Sequence, residues 1–561
     1  MTSFSPAWAV IALALSAEPG ADDGPNRDQN RGDLSGRYSG TLSARGPNDS
    51  LRSQQIHLKL RQRGSKITGS LGPKVDEQFP IDDGVIEGDR IRFTAKLGPG
   101  VIEFHLTVSA ETIEGEMRAA AGAPPPFTRL SVRRVGELAL SDLVAPLPYE
   151  GTLRSPRLLR LRLELSDGNN GALADFWREV EKSGTPLVEP VQGDETSFFA
   201  TFLWRGAPET QNVLVFWQPF CFHQPDKYLM DHVERTDLWF RTVQVPRGAR
   251  FSYQLSPDDP LGFRPPRGSK RNPLPDPLNL RHQPDGAGRK PSVGPSLAEL
   301  PGAPAQPWYE KHPDVPRLTL EKHRLKSEGL GNEREILVYL PPGYRREARP
   351  YPLLFLFDGE DPDGLVFASW TIENLIAKRR IPPLVVVRIA NPDQETRSRE
   401  LACLPGFAEF LHGELVPFIR RSYRVTSEPS GTILGGYSLG GLAAAYAGYR
   451  HPETFGLIIS QSGSFWWEPT ERMFAEPNWL AKQFIRSPKL PLRFYLDAGS
   501  FEIDRRGLGS GTIVPSRQMR DVLLAKGYEV HFQEFPGGHD YVNWRGTLAD
   551  ALIALIGMGS D

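Results

Sequence analysis

The chain has 561 residues, enough for two to four domains that each bury a core. A net charge of −2 with 24% charged residues excludes a dedicated nucleic-acid or polyanion binder, which needs a net basic surface. Two cysteines, Cys221 and Cys403, fall in segments assigned below to different domains, which excludes a disulfide framework. The eleven histidines show no HExxH or HxH spacing, so neither a protein-bound metal nor another cofactor is expected.

The apolar run at 7–17 is too short to span a bilayer but fits the core of a signal peptide, although no Lys or Arg precedes it. Export to the periplasm or medium is therefore expected, with a cytoplasmic protein as the alternative. No other run is apolar enough for a membrane span. After a polar leader at 18–33, short alternating runs such as Ile91-Phe93-Ala95 and Ile102-Phe104-Leu106 fill 34–137, separated by Gly-Asp and Gly-Ser turns. That pattern predicts an antiparallel β-barrel or sandwich with alternate side chains in one small core.

A second β-rich domain is expected over 148–256, interrupted by one amphipathic helix at 171–183 and about the size of an immunoglobulin-like sandwich. From 256 to 316 there are fifteen prolines, which predicts an extended connector at 257–316 running over a surface. From 317 to 561 the pattern changes to strands alternating with helices. The strand runs at 335–340, 353–357, 384–389, 432–437 and 492–497 are almost continuously apolar, as in a mostly parallel sheet covered on both faces. An open, mostly parallel sheet covered by helices is expected, giving a multidomain protein in which two β-rich domains precede an α/β one.

Within the last domain, Gly436-Tyr437-Ser438-Leu439-Gly440 is a GxSxG between an apolar strand and a run of helix formers. The turn must be tight enough to lift the Ser438 hydroxyl off the sheet, and glycines two residues either side remove the side chains that would collide. Ser438 is the candidate nucleophile. The N–H of Leu439, at the helix N-terminus, can face a developing oxyanion. A second donor is expected from the turn Asp358-Gly359-Glu360, at the N–H of Gly359 or Glu360. The base must follow the nucleophile in the chain. His539, in the loop Gly537-Gly538-His539-Asp540, fits better than His531 inside a strand. Asp497, Glu502 and Asp504 all follow or end the preceding strand, and Glu502 is favoured because an acid on the strand itself points less freely over the sheet edge.

These motifs stand beside further stretches: Thr201-Phe202-Leu203-Trp204-Arg205, Thr236-Asp237-Leu238-Trp239, Leu356-Phe357-Asp358-Gly359, Ser460-Gln461-Ser462-Gly463-Ser464-Phe465-Trp466-Trp467, and Trp544-Arg545. From about residue 174 to the end the chain resembles the bacterial enterochelin esterase family, within the broader esterase D group. The resemblance implies a β-sandwich followed by an α/β-hydrolase domain, a triad of Ser438, Glu502 and His539, and cleavage of the serine esters of a catecholate siderophore for iron release. Leu404 stands where the family usually has Asn, and the first hundred residues have no counterpart in its cytoplasmic members.

Arg397, Arg399 and Arg545 are candidates to attract an anionic ligand, and Trp466 and Trp467 to stack on its rings. The plainer alternatives are ion-paired arginines and packed tryptophans. The partner expected is a small-molecule ester, with an iron–siderophore complex first. The rivals are an exported acetyl or feruloyl carbohydrate esterase and a non-catalytic binding protein that keeps the fold.

Overall fold

The computed structural model describes residues 34–45, 51–74, 78–97, 100–121, 127–136, 153–217, 228–261, 271–281, 294–359, 368–469, 478–503 and 511–559. The apolar run at 7–17, Cys221, Glu360 and Asp504 lie outside them. Two compact units divide the chain, one ending at Pro148 and the other running from Tyr149.

The first unit is a nine-stranded antiparallel sheet, and its strands Leu51–Arg63 and Lys66–Gly72 also pair, closing the sheet on itself as a barrel. Period-two alternation puts one side-chain set inside, where Leu58, Leu60, Ile91, Phe93, Phe104 and Ile113 are buried. Phe93 and Phe104 sit opposite each other in register with stacked rings 4.6 Å apart.

The second unit opens with two helices, Pro156–Ser166 and Ala172–Ser183, where only the second was expected. Ser155 caps the first, its hydroxyl accepting from the N–H of Leu158, and Pro156 occupies the first turn. A four-stranded and a three-stranded sheet follow. Ala200, Phe202, Val213, Val215, Phe251 and Tyr253 form the core they share.

The expected connector at 257–316 is corrected in part. Ser296–Glu299 is a strand of the three-stranded sheet, and the Asp276 carboxylate is buried, accepting from Thr185 Oγ1 at 2.6 Å and from the Tyr253 hydroxyl at 2.7 Å. Proline-rich sequence thus contributes to the domain's interior where polar side chains supply the missing backbone pairing.

The rest of the unit holds an eight-stranded sheet: β1 (Thr319–Ser327), β2 (Asn332–Leu340), β3 (Leu353–Leu356), β4 (Val385–Ile389), β5 (Thr432–Tyr437), β6 (Leu457–Gln461), β7 (Arg493–Gly499) and β8 (Glu529–Phe535). Their spatial order is β1-β2-β4-β3-β5-β6-β7-β8. β2 is antiparallel to both β1 and β4, and all strands from β4 to β8 run parallel.

Alternation along the buried strands creates two cores. Phe355, Val385 and Val387 meet helices Leu439–Arg450 and Ile513–Ala525 on one face. Leu354, Leu356 and Val386 meet helices Ala368–Ala377 and Tyr541–Ile556 on the other. Helix Leu439–Arg450 can press close to the sheet because its inner positions are small: a Cβ on Gly448 would lie 2.5 Å from Ile458 Cδ1. With parallel strands, the loops after β3, β5, β6, β7 and β8 all emerge at one edge of the sheet, which positions the site. Among the described residues no helix is long and apolar enough to cross a membrane.

Candidate active site

Ser438 sits between β5 and helix Leu439–Arg450 with φ 58° and ψ −122°, a conformation that costs an L-residue energy and persists only when its surroundings impose it. They do so here. The Ser438 N–H donates to Gln461 O at 2.9 Å, and its carbonyl accepts from the Ser464 N–H at 3.0 Å. A Cβ on Gly436 would lie 2.7 Å from the Gly440 carbonyl carbon, so the turn closes only with glycine at this position. Leu439 is the first helical residue, and its N–H has no acceptor within the helix.

Glu502 follows β7 and is buried, with both carboxylate oxygens engaged. Oε2 lies 2.7 Å from His539 Nδ1. Oε1 accepts from Ser462 Oγ at 2.7 Å and from the Gly499 N–H at 2.9 Å. Burial alone pushes the Glu502 carboxyl up, but His539 and these donors outweigh it and hold the group below the usual glutamate range. His539 follows β8 and is partly buried, its side chain 9% exposed. Its ring and that of Trp544 meet edge to face, centroids 4.7 Å apart, and Trp544 stacks on Tyr437, the residue before Ser438, at 4.6 Å. An imidazole with Nδ1 fixed by a carboxylate is oriented to exchange a proton at Nε2.

Among the rival acids, Asp497 does not reach the histidine. It lies on β7, where its Oδ1 accepts the Ser462 N–H at 2.8 Å, and burial pushes its carboxyl up to about 8.

Gly359 is a correction. Its N–H donates to Ile389 O at 2.9 Å, so it is spent on tying the turn to β4 and is not aimed at an oxyanion. The turn is held instead through Asp358, at φ 58°, whose carboxylate receives Arg397 Nε at 2.6 Å, Arg397 Nη2 at 2.7 Å and Asn391 Nδ2 at 2.8 Å.

Arg397 is accordingly an ion-paired residue rather than a free cation. Arg545 is a second correction: it is buried, donating from Nε to Gln306 Oε1 at 2.8 Å with its guanidinium 3.8 Å from the Tyr309 ring centroid. Trp467 is a third, packed edge-on against Trp479 at 5.7 Å beside the main core. Arg399 stays half exposed, 4.0 Å from Glu400, and Trp466 is half-buried.

Several contributors were not anticipated. Ser462 and Ser464 flank the site, with Ser464 Oγ 3.5 Å from Ser438 Oγ, and Trp544 Nε1 donates to Ser462 Oγ. Their signal was available, because Ser462, Gly463 and Ser464 follow β6 at the functional edge.

The Esterase family model matches residues 327–555, and the model for the N-terminal part of enterochelin esterase matches 200–309. The chain is 31% identical over 413 residues to the iron(III) salmochelin esterase of Escherichia coli O6:H1, covering 71% of this chain and 97% of that protein. It is also 31% identical over 424 residues to the iron(III) enterobactin esterase of Dickeya dadantii, covering 68% and 92%. The crystal structure of the Shigella flexneri enterobactin esterase in the presence of enterobactin aligns with TM-score 0.54 and 27% identity, over 68% of this chain and 97% of that one.

A strained serine elbow and a carboxylate-bound histidine at one edge of a mostly parallel sheet, in a chain matched by an esterase family, define a carboxylic ester hydrolase. Within that class the chain belongs to the enterochelin esterase family.

Proposed function

We propose that the protein is a serine esterase of the α/β-hydrolase type that hydrolyses the ester bonds of an iron-loaded catecholate siderophore and so loosens the ligand's hold on the metal. The observation that carries the chemistry is the 2.7 Å contact between His539 Nδ1 and Glu502 Oε2, at the sheet edge where Ser438 is lifted on its elbow. The substrate class rests on the relatives, which are named as esterases of iron(III) salmochelin and iron(III) enterobactin.

In this reading Ser438 Oγ attacks the ester carbonyl while His539 Nε2 takes its proton. The imidazolium is stabilised by the buried Glu502 carboxylate. The Leu439 N–H stabilises the oxyanion, with the Glu360 N–H, outside the described residues, as the expected second donor. His539 then protonates the departing alkoxide, and water, deprotonated by the same ring, releases the acyl group. The apolar run at 7–17 supports an exported enzyme, which cell fractionation of the full-length protein tests.

The catalytic test is turnover of a ferric catecholate triester beside feruloyl and acetylated-sugar esters. The triester should be preferred, and Ser438→Ala and His539→Ala should each lower kcat by about 10⁴. Faster turnover of the sugar esters would move the substrate assignment to carbohydrates. Full activity in either variant would remove the triad.

A further inference from the structure

The central strand of the three-stranded sheet, Arg250–Pro257, is paired along its whole length on neither side. Among the described residues, Val213–Trp217 meets it from Pro257 to Tyr253 on one side, and Ser296–Glu299 meets it from Arg250 to Tyr253 on the other. The first turns of the strand therefore need acceptors from elsewhere on the Trp217 side. They find them around His539. The Arg250 N–H donates to Pro536 O at 3.1 Å, and the Ser252 N–H donates to Asp540 Oδ2 at 2.6 Å.

The Ser252 hydroxyl donates to the same Asp540 Oδ2, also at 2.6 Å. Asp540 is buried, and its other oxygen accepts the Val542 N–H at 3.2 Å, capping helix Tyr541–Ile556. Short bonds of this kind to a carboxylate are among the stronger ones a protein makes. The acid's loop is held by the same strand. Phe501, the residue before Glu502, buries its ring in the core shared by the two sheets, 5.9 Å from the Trp217 ring and 6.2 Å from that of Phe251. The Phe501 N–H donates to Gly537 O at 2.9 Å, which ties the acid's loop to the histidine's.

Packed surfaces must touch somewhere, and incidental contact beside a catalytic residue is the plain alternative. Two features weigh against it. The contacts fall on the immediate neighbours of both partners, Asp540 beside His539 and Phe501 beside Glu502, and both come from around one strand. The hydroxyl also adds a second donor to an oxygen that the backbone already engages, which sheet pairing does not require. The 2.7 Å contact between Glu502 and His539 joins loops that follow different strands, β7 and β8. Loops hold a geometry less precisely than strands do, so a strand from outside the catalytic sheet supplies a fixed reference for both.

We propose that Ser252 is a positioning residue of the catalytic centre, an inference that rests on the reading of Ser438, Glu502 and His539 as a triad. Its two donors fix Asp540 and with it the main chain that carries His539, while Trp217 and Phe251 fix Phe501 and with it Glu502. Ser252 touches no reacting atom. It acts by keeping His539 Nε2 aimed at the Ser438 hydroxyl, so the three-stranded sheet belongs to the catalytic apparatus for any ester, large or small. Ser252 and Asp540 are 288 residues apart in the chain, a separation at which no motif can link them.

The test uses the full-length protein and a small neutral ester, with every rate taken well below the variant's Tm. Ser252→Ala removes the hydroxyl donor and leaves the backbone one. It should lower kcat about tenfold with KM within about twofold of the parent's, because orientation is lost and binding is not. Labelling of Ser438 by a fluorophosphonate, which draws on the same base, should slow by a similar factor. Ser252→Thr restores a hydroxyl on a strand that favours β-branched residues and should recover most of both rates. A Ser252→Ala protein that loses Tm but keeps its kcat and labelling rate overturns the proposal, as does a kcat loss that threonine leaves unrelieved. A rise in KM with kcat unchanged overturns it too, by making Ser252 a substrate contact. If the parent protein is not labelled at Ser438, the triad reading itself has failed, and the proposal falls with it.

Discussion

Trp544 and Ser462 are 82 residues apart in the chain, yet the indole Nε1 donates to Ser462 Oγ at 2.9 Å, and the same hydroxyl donates to Glu502 Oε1 at 2.7 Å. Trp544 also supports the His539 ring. One residue of the C-terminal helix thus braces both the histidine and, through Ser462, the acid that orients it. Ser462→Ala leaves a buried indole N–H without an acceptor, which costs about 1–3 kcal/mol of stability. It also leaves Glu502 Oε1 with only the Gly499 N–H. We expect kcat on a soluble ester to fall about tenfold or more with KM nearly unchanged, and Trp544→Phe, which keeps the ring contact, to lose less. A variant that unfolds more easily but keeps its kcat at 25 °C would reduce Ser462 to a purely structural role.

Asp358 and Arg397 form the corresponding brace on the other side of the elbow. Their bidentate pair is largely buried, with side chains 5% and 17% exposed. Removing one partner of such a pair costs about 3 kcal/mol or more, because the other charge is left uncompensated. Arg397→Gln should therefore lower Tm and kcat, and should change KM for an anionic and a neutral ester by the same factor at low and high salt. The double variant Asp358→Asn/Arg397→Gln should recover part of the lost stability. A KM increase confined to the anionic ester and shrinking in salt would restore Arg397 as a substrate-binding cation.

The alternation at 91–106 fixed the barrel's inside and outside, and the continuous runs at 353–357, 384–389 and 432–437 marked a sheet buried on both faces, because side-chain periodicity reports burial directly. The elbow was legible for the same kind of reason: the clash between Gly436 and Gly440 is local. The arginines were not. Whether Arg545 meets a ligand or Gln306 and Tyr309 depends on a contact across 239 residues, which no spacing encodes. Gly359 failed differently, since its turn was foreseen but not the acceptor, Ile389 O, that consumes its N–H. The two helices before the four- and three-stranded sheets were half legible: Ser155-Pro156 is a cap followed by a first-turn proline, a signal outweighed by the β-rich reading of its surroundings.

Asp497 gives a prediction in pH. Burial, with Glu502 adding to it, pushes its carboxyl up to about 8 from an ordinary value of 3.8. The folded state therefore binds a proton that the unfolded state has released over that interval. Because the folded pKa is the higher one, the stabilisation is complete below about pH 4, is lost as pH rises toward 8, and changes no further above that. Asparagine mimics the protonated acid, keeps an oxygen for the Ser462 N–H, and cannot ionise. Asp497→Asn should therefore gain on the parent protein in thermal unfolding as pH rises from 5 to 8.5, by an amount on the order of a few kcal/mol at most. Its kcat should stay within a few-fold of the parent's, because His539 takes its orientation from Glu502. Equal Tm differences at both pH values would mean that Asp497 is already ionised in the fold. A loss of kcat as large as that of Glu502→Gln would instead make it part of the acid that His539 depends on.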